Sequence, residues 1–174
     1  HAITCIASPH RIVLGGGANP TASAAVGNGT VTSGVRLVGA TLNAGGGDIF
    51  LRGTGLATGN PSRHGVSIEA SGVTPSVVQT SGGGRIEIVG VGGANGGALA
   101  TTGNRGVQIT GANSRVATDS GVISIEGTGG GTTTGNNSTN YGVLVNSNDA
   151  RIESVSGDIT VAGTGGGGLA GDDS

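Results

Sequence analysis

A short apolar alternation followed by glycines returns along this chain at a nearly constant interval. It reads "GDIFLRGTGL" from Gly47, "GRIEIVGVGG" from Gly84, "GVISIEGTGG" from Gly121 and "GDITVAGTGG" from Gly157. The first inward residue of the motif is Ile12, Ile49, Ile86, Ile123 and Ile159, at spacings of 37, 37, 37 and 36. Two residues on stand Leu14, Leu51, Ile88, Ile125 and Val161, with Val13, Phe50, Glu87, Ser124 and Thr160 between. Apolar, variable, apolar is the period of a strand buried on one face.

Two further columns keep the same interval. One lies seven or so residues upstream at Cys5, Leu42, Val78, Val116 and Ile152, followed two residues later by the small Ala7, Ala44, Thr80, Thr118 and Ser154. The other follows a glycine at Val35, Val66, Val107 and Val143, with Leu37, Ile68, Ile109 and Val145 as partners. Each unit therefore carries three short strands. The pattern predicts an all-β chain, a parallel β-helix (β-solenoid) expected to be right-handed, with about five coils of 36–37 residues. The expected layout is one domain over 1–174: a partial first coil at 1–34, then repeats near 35–64, 65–105, 106–141 and 142–174. Residues 107 to 127 would make one coil of 21 residues, and "TGGGTTTGNNSTNY" a loop protruding from a corner. Gly53, Gly90, Gly127 and Gly163, just past the third strand, are expected at a corner needing positive φ.

Composition agrees with stacked short strands. The chain has 40 glycines in 174 residues, one Phe, one Tyr, and no Lys, Met or Trp. A helical or sandwich core leans on Leu, Phe and Met, so both are disfavoured. Net charge is −2 and the eight arginines are scattered, so no basic patch points to nucleic acid. No apolar run reaches the roughly 18 residues of a membrane-spanning helix. Cys5 is alone and has no partner for a disulfide within the chain. A start at His1 is expected of a processed or excised product.

Catalytic chemistry on a β-helix needs carboxylates grouped on neighbouring coils. The columns supply none. Arg11, Asp48 and Arg85 share a column and are expected to form an exposed charge ladder. Glu87 and Glu126 have no carboxylate in their columns, and Arg115 and Arg151 stack as like charges that Glu153 would relieve. His1, His10 and His64 lack metal-ligand spacing, and His64 is expected at the surface. The glycine runs lack the lysine and following helix of a phosphate loop. The tail "GGGGLAGDDS" lacks the spacing of a calcium-binding nonapeptide, and Asn28, Asn136 and Asn137 open glycosylation sequons in loop-like sequence. No catalytic, cofactor-binding or metal-binding residue is therefore assigned, and the chain is expected not to be an enzyme.

The units "GVQITGANSRVATDSGVISIEGTGG" and "GVLVNSNDARIESVSGDITVAGTGG" resemble the repeats of large bacterial exoproteins of the filamentous haemagglutinin and autotransporter-adhesin type. The resemblance spans residues 12–166 and is one of repeat class. It implies an exported, surface-exposed structural rod, a module of an extracellular filament or adhesin. The chain departs from that type in having no recognisable secretion domain or receptor-binding module. At five coils the rod would be only about 24 Å long, so the partners implied are the rest of a longer rod or other copies stacked head to tail. A glycan- or host-protein-binding module is the alternative, and a polysaccharide-acting enzyme ranks below it.

Overall fold

Alternating Ile and Val residues need a pleated surface on which β-branched side chains can stack. The chain provides three. The computed structural model describes residues 2–4, 10–57, 62–94, 103–131 and 139–166. The partial first turn holds β1 (Ala2–Thr4), β2 (Ile12–Leu14) and β3 (Ala25–Val26). Four complete turns follow. They are β4 (Val35–Val38), β5 (Thr41–Asn43) and β6 (Ile49–Thr54); β7 (Val66–Glu69), β8 (Val77–Thr80) and β9 (Ile86–Val91); β10 (Val107–Thr110), β11 (Arg115–Thr118) and β12 (Ile123–Thr128); and β13 (Val143–Asn146), β14 (Arg151–Ser154) and β15 (Ile159–Thr164).

Like strands pair in parallel between successive turns. The first-strand sheet runs β4-β7-β10-β13, the second-strand sheet β1-β5-β8-β11-β14 and the third-strand sheet β2-β6-β9-β12-β15. β3 pairs with the far end of β6, so residues 15–24 leave the wall between β2 and β3 and return to it. The described residues contain no helix. This is the β-solenoid that the repeat predicts.

The registers match the sequence columns. Ile12, Ile49, Ile86, Ile123 and Ile159 are successive partners. So are Val35, Val66, Val107 and Val143. Leu42, Val78, Val116 and Ile152 follow one another in the second-strand sheet. One assignment is corrected: the backbone partner of Leu42 in β1 is Ile3, and Cys5 falls outside the described residues, as does Ala7. Ile3 stands nine residues before Ile12, against seven or eight between the corresponding residues of later turns, which a fixed interval cannot reveal. The inward residues form one continuous core, with Ile49, Ile86 and Ile123 wholly enclosed. Each such side chain contributes about 1.5–3 kcal/mol.

The corners explain the small residues in the second column. Thr80 Oγ1 donates to the Gly47 carbonyl at 2.7 Å and accepts the Gly46 N–H at 3.1 Å. Thr118 Oγ1 does the same one turn on, to the Gly84 carbonyl and from the Gly121 N–H. These hydroxyls satisfy buried backbone groups where the sheet ends. At the preceding corner Ser76 Oγ accepts the Ala40 N–H and Ser114 Oγ the Ser76 N–H, at 3.1 and 3.2 Å.

The third corner corrects two expectations. Gly53, Gly90, Gly127 and Gly163 lie inside the third strands, and none has positive φ. What Gly53, Gly90 and Gly127 lack is room. A Cβ on Gly90 would sit 2.1 Å from the Gly106 carbonyl oxygen of the next turn, and one on Gly127 2.0 Å from that of Gly142. The coil is also longer than 21 residues, because the chain past the third strand bonds back to the chain ahead of the first. Leu56 N–H donates to the Thr32 carbonyl, Gly93 to Arg63, Gly130 to Asn104 and Gly166 to Asn140. Each turn therefore closes at a neck, over 32–56, 63–93, 104–130 and 140–166. Of the expected loop, Thr128 to Gly131 and Asn140 belong to this neck, and 132–138 lie outside the described residues. An asparagine ladder runs down the neck: Asn104 Oδ1 accepts the Arg63 N–H and Asn140 Oδ1 the Asn104 N–H.

Candidate functional site

With the inward side chains committed to the core, chemistry is left to the outer faces. The third-strand sheet carries the column of Arg11, Asp48 and Arg85. No charge ladder forms there. Asp48 Oδ1 accepts the backbone N–H of Arg85 at 2.9 Å, and Asp48 makes no ion pair among the described residues. The guanidinium groups of Arg11 and Arg85 instead lie over the Phe50 ring, 5.3 and 4.8 Å from its centroid. Phe50 points outward and is nonetheless buried, because its neighbours cover it. Glu87 takes Arg52 as its near partner and Arg85 at 3.7 Å. Arg52 also donates to the Thr21 carbonyl, tying the 15–24 excursion to the wall.

The second-strand sheet has a groove of about 440 Å³. Asn43, Gln79, Ala117 and Glu153 follow one another in register, and the short Ala117 makes its floor. Arg115 and Arg151 are register partners, and Glu153 relieves both as expected, at 3.5 and 2.7 Å. Arg115 and Glu153 are thus paired within the groove, while Asp119, which also lines it, accepts the Gly82 N–H at 2.9 Å.

The first-strand sheet holds a second cavity, of about 400 Å³. Arg36, Ser67 and Gln108 stack in register on its wall, with Glu69 and Thr110 two residues further along β7 and β10. The neck places His64 and Arg105 at its side. A hydrogen-bond relay crosses it: Arg105 Nη1 donates to Gln108 Oε1, Gln108 Nε2 to Ser67 Oγ at 3.5 Å, and Ser67 Oγ to Glu69 Oε1. Arg36 closes the far end, with Nη2 2.9 Å from Glu69 Oε2. Burial works against the Glu69 carboxylate, but the hydrogen bonds from Arg36 and Ser67 together hold its pKa below the usual range. The Arg36 guanidinium is correspondingly raised by Glu69.

His64 is not at the surface. It is buried, its Nδ1 accepts the Arg105 backbone N–H at 3.2 Å, and burial, aided by the Arg105 charge, lowers its pKa to about 4. The ring is neutral at pH 7, with its proton on Nε2. Burial also lowers the Arg105 pKa. Its Nε is enclosed without a hydrogen-bond partner, and Arg105 forms no ion pair among the described residues.

Of the other sequence candidates, Glu126 sits between Val89 and Ala162 with no carboxylate in its column. Asn28 Oδ1 accepts the Thr30 and Val31 N–H groups within an exposed turn. His1, Asn136, Asn137 and the end of the tail fall outside the described residues. No group of three His, Cys, Asp or Glu residues suited to a metal occurs among those described. Sequence reading missed Arg36, Glu69, Arg105 and Gln108 as a set. The available signal was the polar character of Arg36, Gln108 and Glu69 on outward positions of the first strands, which ordinary solvated faces share. Comparison with protein-family models, with curated proteins and with solved structures returned no match.

Proposed function

We propose that this chain is a structural β-solenoid module of an extracellular bacterial surface filament or adhesin. One observation carries the reading. Ile159, Val161 and Val145 occupy columns that are enclosed in the preceding turns, yet they are 44%, 47% and 39% exposed in the last one. The edges of β13, β14 and β15 likewise have no strand beyond them among the described residues. Open parallel edges with an apolar lining are completed by another coil of the same pattern. That coil comes from more of the same rod or from a second copy stacked head to tail, and a contact of this kind propagates without closing. The repeat-class resemblance supports the extracellular setting. The test is light scattering and electron microscopy over a concentration series, with an Ile159→Asp/Val161→Asp variant alongside. End-to-end association that the variant abolishes is expected. A monomer at every concentration would remove the self-stacking claim.

A binding module for a glycan or host protein is the second reading. It is favoured by the cavity on the first-strand sheet, whose polar groups converge without belonging to the core.

A further inference from the structure

We propose that the cavity on the outer face of the first-strand sheet binds a hydroxyl-rich carboxylate, a sugar acid of monosaccharide size, with its carboxylate against Arg105. The inference is independent of the structural role proposed for the rod.

The charge distribution selects an anion. Arg36 and Glu69 neutralise one another directly, and Glu69 takes a further hydrogen bond from Ser67. His64 is neutral. Arg105 remains as a cation whose side chain, among the described residues, donates to the uncharged amide of Gln108, while its Nε is enclosed and unpartnered. A half-buried guanidinium without a counter-ion is the arrangement that a ligand carboxylate completes, since its planar donors match two carboxylate oxygens.

The remaining lining selects the rest of the ligand. Thr30 and Ser33 bring hydroxyls to the cavity beside Thr32, whose Oγ1 donates to the Ser62 carbonyl, and Thr110, whose Oγ1 pairs with Ser147 Oγ, and His64 contributes a neutral ring with its proton on Nε2. Such groups exchange hydrogen bonds with sugar hydroxyls. The lining has no Phe, Tyr or Trp, and its one ring, that of the buried His64, offers no open face on which to stack a nucleobase or an aryl group. The volume of about 400 Å³ falls in the range of small-ligand sites and exceeds what an inorganic anion fills.

The experiment titrates the full chain with glucuronate, glucose and inorganic sulfate, read by calorimetry and by the NMR signals of the His64 ring. Glucuronate is expected to bind saturably, and glucose and sulfate at least tenfold more weakly. Because the Arg105 charge helps depress His64, an anion on Arg105 should raise the His64 pKa above its ligand-free value of about 4. Arg105→Gln, checked for native circular dichroism, should weaken glucuronate at least tenfold, the loss of a charge-assisted contact. Arg11→Gln, on another sheet, should bind as the parent does. Absence of saturable glucuronate binding to the parent chain would overturn the proposal. So would glucose binding equally well, or an unmoved His64. Sulfate binding as tightly as glucuronate would reduce the site to an anion hole and overturn the sugar-acid assignment.

Discussion

The third and fourth complete turns are written in nearly the same words and live in different surroundings. "GVISIEGTGG" encloses Ile123 and Ile125 almost completely, whereas "GDITVAGTGG" leaves Ile159 and Val161 about half open. Ile109 is sealed and its register partner Val145 is not. The glycines repeat the lesson. A Cβ on Gly127 meets the Gly142 carbonyl oxygen at 2.0 Å, but on Gly163 the nearest atom is the Val143 nitrogen at 3.2 Å. Burial in a solenoid therefore belongs to the position in the stack more than to the motif. The opposite end differs again, since Ile12, Val35 and Leu37 are buried there beside the partial first turn.

Substitution of equivalent residues in the two turns sharpens the contrast. Ile123→Asp should cost about 3–5 kcal/mol or abolish folding, because the carboxylate enters a closed apolar column. Ile159→Asp should cost under about 1 kcal/mol in the isolated chain, and Ser124→Asp on the outer face should be tolerated. Equal losses at 123 and 159 in urea melts would mean that the last turn is covered in solution.

The contrast extends to a titrating group. His64, Arg105 and Tyr141 occupy one position of successive necks, and the ring is buried in the second turn while Tyr141 is 48% exposed in the last. With a folded pKa of about 4 against 6.5 unfolded, the unfolded chain takes up a proton in that interval and the folded chain does not. The His64 contribution to stability is full above pH 6.5, falls as pH drops towards 4, and levels off below. The loss is about 3 kcal/mol. Denaturation at a series of pH values should show this slope in the parent chain, and His64→Gln should flatten it.

Gly127→Ala should destabilise by about 1–3 kcal/mol through displaced backbone, while Gly163→Ala should be close to neutral. Matching losses would show that the neck of the last turn is as tight as the others. The smallest effect concerns the corner hydroxyls. Thr118→Val leaves the Gly84 carbonyl and Gly121 N–H without their partner and should cost about 1–2 kcal/mol. Ser154→Ala, in the half-open last turn, should cost less, because water replaces the hydroxyl bond to the Gly157 N–H.

The strand columns were legible because side-chain direction along a strand has period two and stacking in register repeats each position. Ile49, Ile86 and Ile123 must then coincide once any one pair is aligned. Ile3 was not legible. The connection between β1 and β2 has its own length, and a fixed interval assigned Cys5 in its place. Gly90 and Gly127 were recognised as required glycines for the wrong reason, since a sequence does not tell a twisted backbone from a crowded one. Phe50 stands at an outward position of its strand; only the arrangement of Arg11 and Arg85 across neighbouring turns encloses it.

The candidate cavity was beyond the sequence for a related reason. Arg36 and Glu69 lie 33 residues apart, and Arg105 and His64 41 apart, without an invariant spacing to join them. The outward positions of Arg36 and Glu69 follow from the period, but outward residues carry no packing constraint and their partners depend on turn length; His64 and Arg105 lie in the necks, outside that period. From its own order of residues the chain determined the strands, their faces and their register, because hydrophobic burial acts on a regular period. The tertiary structure alone decided which turns are closed, where the necks form, and which outward charges find partners. Those outcomes depend on what the neighbouring turn places within a few ångströms, and no local rule in the sequence specifies it.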